Sequence, residues 1–227
     1  MHNILTVIPA RGGSKSIPKK NLQLINGKSL IERAVTTCLK IEGNRIIVST
    51  DDPEISNTVK KYPVEVFNRS KVNSSDIASS ESVVLEVLQQ IKTYEGLVVL
   101  FQATCPFTDL QAFKDSISFL QNSNSVDSMF SAVSKNEFIW EFSSSWKPVN
   151  HSKLLRPLRQ FRSPIAVETG SFYIFNSAIF LEEKTRFCGV TIPAFTKNWS
   201  NFDIDSQDDL DLCRALSQIL DFPPYLV

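Results

Sequence analysis

The chain is poor in the features that mark several protein classes. It has no excess of either charge: 24 Lys and Arg stand against 24 Asp and Glu in 227 residues. A protein that holds nucleic acid by neutralising phosphates shows a basic excess, and a disordered chain combines high net charge with low hydrophobicity. Here 42% of the residues are hydrophobic and 21% charged, so neither class fits. Glycine is scarce at 7 residues and proline numbers 11, which excludes low-complexity and collagen-like chains. The four cysteines, Cys38, Cys105, Cys188 and Cys213, lie far apart and form no CxxC pair. That spacing argues against a zinc site or a secreted disulfide framework and for four reduced thiols, mostly in the core. No run approaches the roughly 20 apolar residues of a membrane span. The opening Met1-His2-Asn3-Ile4-Leu5-Thr6-Val7-Ile8-Pro9 lacks a basic leader and is cut short by Pro9 and Arg11, so it reads as a strand and not a signal peptide. A cytoplasmic protein is expected, with neither membrane nor nucleic acid as partner.

What is present is an alternation of short apolar runs with longer segments of helical period, the pattern of a mostly parallel sheet covered by helices on both faces. Strands are expected at Ile4 to Pro9, Arg45 to Ser49, Val64 to Phe67, Leu97 to Gln102, Ser128 to Val133 and Ser171 to Asn176. Helices are expected at Ser29 to Lys40, from Pro53 to about Lys61, and at Ser80 to Tyr94, Leu110 to Gln121 and Asp205 to Ile219. The length suits a single domain over residues 1–227 that buries its core without disulfides or a structural metal. Residues 134–167 break the rhythm with Phe138, Trp140, Phe142 and Trp146, then Lys153, Arg156, Arg159 and Arg162. Such a stretch inside a regular domain reads as a protruding interface arm.

The strongest chemical signal follows the first strand: Ile8-Pro9-Ala10-Arg11-Gly12-Gly13-Ser14-Lys15-Ser16-Ile17-Pro18-Lys19-Lys20-Asn21. Gly12 and Gly13 would let consecutive N–H groups converge as an anion nest, while Arg11, Lys15 and Lys20 supply charge to a polyphosphate. The stretch is neither a Walker A loop nor a GxGxxG fingerprint. The alternative is a basic surface loop, but the carboxyl end of a first strand is where open α/β sheets bind ligands. A second signal is Phe202-Asp203-Ile204-Asp205. Side chains at i and i+2 of an extended segment point the same way, so Asp203 and Asp205 can converge on one hard cation. The competing role is helix capping, and Asp208 and Asp209 are placed to favour the positive end of the helix that follows.

IPARGGSKSIPKKN resembles the signature of the N-acylneuraminate cytidylyltransferases, the CMP-sialic acid synthetases, whose usual form has Gly at the place of Ser16. Ser49-Thr50-Asp51, Gln102-Ala103-Thr104-Cys105-Pro106, Gly170-Ser171-Phe172-Tyr173 and Asp203-Ile204-Asp205 follow in the family's order, so the resemblance spans nearly the whole chain. It implies a three-layer, Rossmann-like nucleotidyltransferase fold with a dimerisation arm, and CTP and a nonulosonic acid as substrates. The anomeric hydroxyl would attack the α-phosphorus and expel pyrophosphate, chemistry that rests on positioning and charge neutralisation. The resemblance puts Mg²⁺ (or Mn²⁺) on Asp203 and Asp205, and the triphosphate on Arg11, Gly12, Gly13, Ser14, Lys15 and Lys20, with Ala10 among the nucleotide-binding residues. Arg11, Lys15, Lys20 and Asp205 are then the catalytic candidates.

Asn21, Arg69, Ser79 and Ser80 are implied at the nucleotide, and Gln102 and Tyr173 at the sugar. Taken alone, Ser79 or Ser80 is an N-cap, Ser49-Thr50-Asp51 a helix start, Gln102 a strand-end amide and Tyr173 a core residue. The resemblance also implies a homodimer whose arm completes the partner's sugar pocket, with Arg159, Gln160 and Arg162 as candidates. Many bacterial members carry Arg-Pro-Asn before the glycine of the GS[FI]Y-type motif, where this chain has Val167-Glu168-Thr169. The usual bacterial carboxylate anchor is therefore missing. No general base is apparent, since His2 is terminal and His151 sits in the arm. The most favoured acid is N-acetylneuraminic acid, with legionaminic acid, Kdn or Kdo as alternatives, and a silent nucleotide-binding regulator as the reading outside the enzyme class.

Overall fold

The computed structural model describes residues 3–92 and 94–220, so His2 lies outside the described residues. In chain order the first half runs β1 (Asn3–Pro9), β2 (Leu24–Ile25), β3 (Lys28–Ser29), α1 (Leu30–Cys38), β4 (Asn44–Thr50), α2 (Pro53–Val59), β5 (Glu65–Asn68), α3 (Ser80–Ile91) and β6 (Gly96–Phe101). The second half runs α4 (Leu110–Asn122), β7 (Ser128–Lys135), β8 (Trp140–Phe142), β9 (Trp146–Pro148), β10 (Ile165–Asn176), α5 (Ser177–Glu183), β11 (Thr191–Phe195) and α6 (Gln207–Leu220).

Seven strands form one sheet in the order β11-β7-β10-β6-β1-β4-β5. β10 runs against both β6 and β7, and the other neighbouring pairs are parallel. The sheet is apolar on both faces because the strand period of two sends alternate residues to opposite sides. Ile4 and Ile8 of β1, with Leu97, Val99 and Phe101 of β6, meet α1, α2 and α4. Leu5, Val7, Val98 and Leu100 meet α3 and α5 on the other side. This is the expected three-layer, mostly parallel arrangement. No helix among the described residues is long and apolar enough to cross a membrane, and all four cysteines are free and buried.

The expected elements are present with shifted ends, and α5, β11 and the β2–β3 hairpin are additional. β7 continues to Lys135 and β10 begins at Ile165, pairing Ile165 with Lys135 and Val167 with Val133. The irregular segment is therefore narrower than 134–167, and it holds the small β8–β9 hairpin.

α1 shows how local chemistry sets a boundary. Ser29 caps it in a reciprocal box: its Oγ accepts from the Glu32 N–H, and its own N–H and hydroxyl donate to Glu32 Oε2 at 3.0 and 2.7 Å. Burial opposes ionisation of Glu32, but hydrogen bonds from Lys61 and Ser29, together with the Lys61 charge, prevail and hold its carboxyl at about 2. A depressed carboxyl stabilises the fold above its unfolded value near 4.5 and loses that contribution as pH falls toward 2. Glu32→Gln should therefore cost about 2 kcal/mol at neutral pH, allowing for screening at exposed Lys61. Urea denaturation from pH 6 to 2.5 should show the difference from wild type shrinking below pH 4.5; a gap constant across that range would refute the assignment.

Candidate active site

From β1 the chain proceeds to β4 and β5 on one side and then crosses back to β6 on the other. The loops after β1 and β6 therefore diverge and open a crevice at the carboxyl edge, the ligand position of open α/β sheets. Ala10 N–H continues the sheet by donating to Ser49 O at 2.9 Å. Gly12 N–H then donates to Asp51 Oδ1 at 3.0 Å, so Asp51, which could have been a helix cap, clamps the loop instead. The cap of α2 is its neighbour Asp52, which accepts from Glu54 and Ile55 N–H.

The expected anion nest at Gly12 and Gly13 is not formed. Neither residue takes a positive φ, and the Gly12 N–H already has its carboxylate. Gly12 is required for close approach: a Cβ there would lie 2.5 Å from Asp52 Oδ2 and 2.8 Å from Asp52 Cβ. A Cβ at Gly13 would meet nothing within 4 Å.

A cleft of about 240 Å³ opens beside this loop, lined among others by Arg11, Ser14, Lys20, Asn21, Arg69, Asp76, Ser79, Ser80 and Thr104. Of the residues predicted at the nucleotide, Arg11, Ser14, Asn21, Arg69, Ser79 and Ser80 thus meet at one place, whereas Ala10, which is fully buried, and Gly12 and Gly13 do not line the cleft. Arg11 and Lys15 both pair with Asp76, at 3.0 and 2.7 Å, and the Asp76 carboxyl is lowered by the Lys15 hydrogen bond and by the charges of Lys15 and Arg11. Asn21 is buried and donates Nδ2–H to Arg11 O at 3.0 Å. Arg69 is buried, with Nε and NH2 donating to Ser49 Oγ and Ser49 O; it braces β4 from the cleft wall. Ser79 is the N-cap of α3, accepting from Ser82 N–H at 3.1 Å. A larger cavity of about 310 Å³ lies by α1 and the start of α4, but neither the first loop nor Asp203 and Asp205 line it.

Lys20 joins the loop to the acid pair. Its side chain is 11% exposed, and Nζ donates to Ile204 O at 2.7 Å and to Asp205 Oδ1 at 3.2 Å. Ile204 is fully buried with Ile17, Ile25, Phe107 and Leu210, while Asp203 and Asp205 on either side of it are exposed. Neither serves as the cap of α6. Asp209 Oδ2 accepts from Ser206 N–H and Asp205 N–H, and Ser206 Oγ accepts from Asp209 N–H. Asp203 lies beside Cys105, whose thiol is pushed well up by burial first and by Asp203 second. Two exposed carboxylates fit a Mg²⁺ site that draws its remaining oxygens from water and phosphate. No group of three or more His, Cys, Asp or Glu among the described residues could enclose a metal by itself.

Outside the cleft lining, β10 breaks register between Glu168 and Tyr173. Gly170 takes φ +75° there, and a Cβ on it would lie 3.4 Å from Gln102 Oε1 and 3.6 Å from Asp203 Oδ2. Gln102, Gly170 and Asp203 therefore converge. Tyr173 is buried, with its hydroxyl donating to Glu168 Oε2 at 2.9 Å. The arm residues are not brought to the cleft within one chain. Arg159 and Gln160 lie on an exposed 3-10 turn, Arg159–Phe161. Arg162 stacks over Phe138 at 4.4 Å and donates NH1–H to Asn136 O, which is bracing inside the arm. His151 packs on Phe138 and Trp140. Sequence reasoning missed the ion pairing of Asp76 and the positions of Thr104 and Glu168, since none stands in a repeating pattern.

A cation-rich loop and a cleft at the switch point of a mostly parallel sheet define a nucleotide-binding α/β protein. Residues 5–222 match the family described as Cytidylyltransferase. The chain belongs to that family, and its chemistry is nucleotidyl transfer. It is 29% identical over 225 residues to the CMP-N,N'-diacetyllegionaminic acid synthase of Legionella pneumophila, covering 95% of this chain and 97% of that one. It is 30% identical over 226 residues to the N-acylneuraminate cytidylyltransferase of Oncorhynchus mykiss, covering 97% of this chain and 51% of that protein. The fold is shared with a CMP:2-keto-3-deoxy-manno-octonic acid synthetase complexed with CTP, at TM-score 0.65 and 16% identity over 95% of this chain and 98% of the other.

The loop geometry separates its two glycines. Gly12→Ala should displace Asp52, lower stability by about 1–3 kcal/mol through overpacking and weaken nucleotide binding, whereas Gly13→Ala should be tolerated. Thermal melts and nucleotide titrations on both variants check this, and equal behaviour of the two would contradict the packing described.

Proposed function

We propose that this protein transfers the cytidylyl group of CTP to the anomeric hydroxyl of a nonulosonic acid, forming a CMP-sugar and pyrophosphate. The observation that carries this is the Lys20 contact to Ile204 O and Asp205, which holds the cationic loop against a pair of carboxylates beside the cleft. The hydroxyl oxygen forms a bond to the α-phosphorus as the bond from that phosphorus to the pyrophosphate oxygen breaks, in line. Arg11, Lys15 and Lys20 orient the triphosphate and neutralise the charge that builds on the leaving group. For Arg11 and Lys15 this means exchanging Asp76 for phosphate. Asn21, Arg69, Ser79 and Ser80 shape the nucleoside end, and Gln102 faces the acid. Asp203 and Asp205 are suited to hold Mg²⁺ or Mn²⁺, which when bound supplies charge neutralisation at phosphate oxygens. The named relatives act on different acids, so N-acetylneuraminic acid heads a panel with legionaminic acid, Kdn and Kdo.

Pyrophosphate release with CTP, Mg²⁺ and that panel tests this function. Activity with at least one acid and its loss by about 100-fold in Asp205→Asn, the size of effect seen when one transition-state contact is removed, are expected. Binding of CTP without turnover would instead identify a silent regulator.

We further take residues 1–227 as one cytidylyltransferase unit, with the arm expected at 134–167, narrowed by the sheet pairing to 136–164, as a segment that dimerises and completes the partner's sugar pocket. Support comes from exposure: Phe142 and Trp146 are each 61% exposed, Phe161 76% and Leu154 97%. Apolar surface of this kind marks interaction sites. Deleting residues 138–146 should convert a dimer to a monomer by light scattering, and an undiminished dimer would reject this role.

A further inference from the structure

Beyond the groups already assigned, one charged cluster borders the same space. Arg186 lies over the Tyr173 ring at 4.6 Å and pairs through Nε with Glu81. The Tyr173 hydroxyl donates to Glu168 Oε2. Glu81 is in the first turn of α3, next to Ser79 and Ser80 of the cleft wall. Glu168 stands two residues before Gly170, which faces Gln102 and Asp203. The cluster thus links the start of α3, beside the nucleotide cleft, to the β10 segment that leads into Gly170.

Its charges are arranged in one direction. Glu81 neutralises Arg186, a pair whose side chains are only 20% and 16% exposed. The Tyr173 hydroxyl proton is engaged. What remains is Glu168, an exposed residue whose second carboxylate oxygen has no protein partner among the described residues. With two carboxylates against one guanidinium, this wall accepts hydrogen bonds and repels anions. A sugar acid lying here is held by its donor groups, hydroxyl or amide N–H, while its own carboxylate is turned toward cations elsewhere.

We propose that Glu168 is a specificity-determining residue, accepting a hydrogen bond from a hydroxyl or amide N–H substituent of the acid co-substrate. The inference rests on the cytidylyl-transfer function above and adds what the pocket reads. Glu168→Gln is the informative change. Its amide oxygen can keep the Tyr173 bond, while the outward atom becomes an NH2 that faces the substrate's donor. Tyr173→Phe is the companion, since it removes the hydroxyl and leaves the carboxylate.

The experiment is steady-state pyrophosphate release by wild type, E168Q, Y173F and the double variant, using CTP and whichever panel acid wild type turns over best. E168Q should raise the KM for the acid by about tenfold or more, the loss of one hydrogen bond to a charged acceptor, with the KM for CTP and the melting temperature unchanged. The double variant should be worse than Y173F, because Glu168 meets the substrate directly and not through the Tyr173 hydroxyl. An unchanged acid KM in E168Q, or a double variant no worse than Y173F, would show that Glu168 only positions Tyr173 and would overturn the inference alone. Wild-type protein inactive with every acid would overturn both this inference and the function on which it rests.

Discussion

The site depends on one junction, the ammonium of Lys20 against the carbonyl of Ile204 and the carboxylate of Asp205. These residues are 184 and 185 positions apart in sequence, and without the junction the cationic loop and the acid pair belong to unconnected parts of the chain. Lys20 reaches it through a mostly buried stem, and Ile17 and Ile204 share one apolar cluster beneath it. Burial of two isoleucines, roughly 1.5–3 kcal/mol each, positions what the charged pair alone would hold weakly. With Ile204 anchored inward, Asp203 and Asp205 on either side of it are exposed. Ser206 and Asp209 take over the start of α6, so neither Asp203 nor Asp205 is spent as its cap.

Charge balance has a local meaning in this fold. The chain is neutral as a whole, yet Arg11 and Lys15 share Asp76, Lys19 pairs with Glu54, and Lys20 with Asp205. These carboxylates hold the loop's cations in place, and under the proposed function a polyphosphate replaces Asp76 at Arg11 and Lys15. Asp76 is the most direct example, since its two oxygens take the two cations assigned to the triphosphate. On that proposal binding is an exchange of anions, which limits the like-charge repulsion an unpaired cationic loop would bear.

Much of this was legible in the sequence. β1 and β6 are apolar on both faces, a run that announces a central parallel strand, and the Arg11 to Lys20 stretch stands out because glycine is rare elsewhere. The steric role of Gly12 was not legible, because it comes from Asp52, which approaches only once β4 pairs with β1. β11 escaped notice for a physical reason: it is a short edge strand carrying Pro193, a residue tolerated at edges and read as a breaker. The first half of β10 was hidden by Glu168, Thr169 and Gly170, which interrupt the apolar alternation where the strand changes register. The Asn26-Gly27 turn of the β2–β3 hairpin was a signal present but unused. Tyr173 was left between core and site, and it belongs to both: its ring is buried while its hydroxyl reaches Glu168.

The central claim is that Lys20 assembles the reacting groups, and the most direct measurement is the turnover of Lys20→Met in pyrophosphate release. The account predicts a loss of at least about 100-fold in a protein whose circular dichroism matches wild type. Turnover equal to wild type would contradict it.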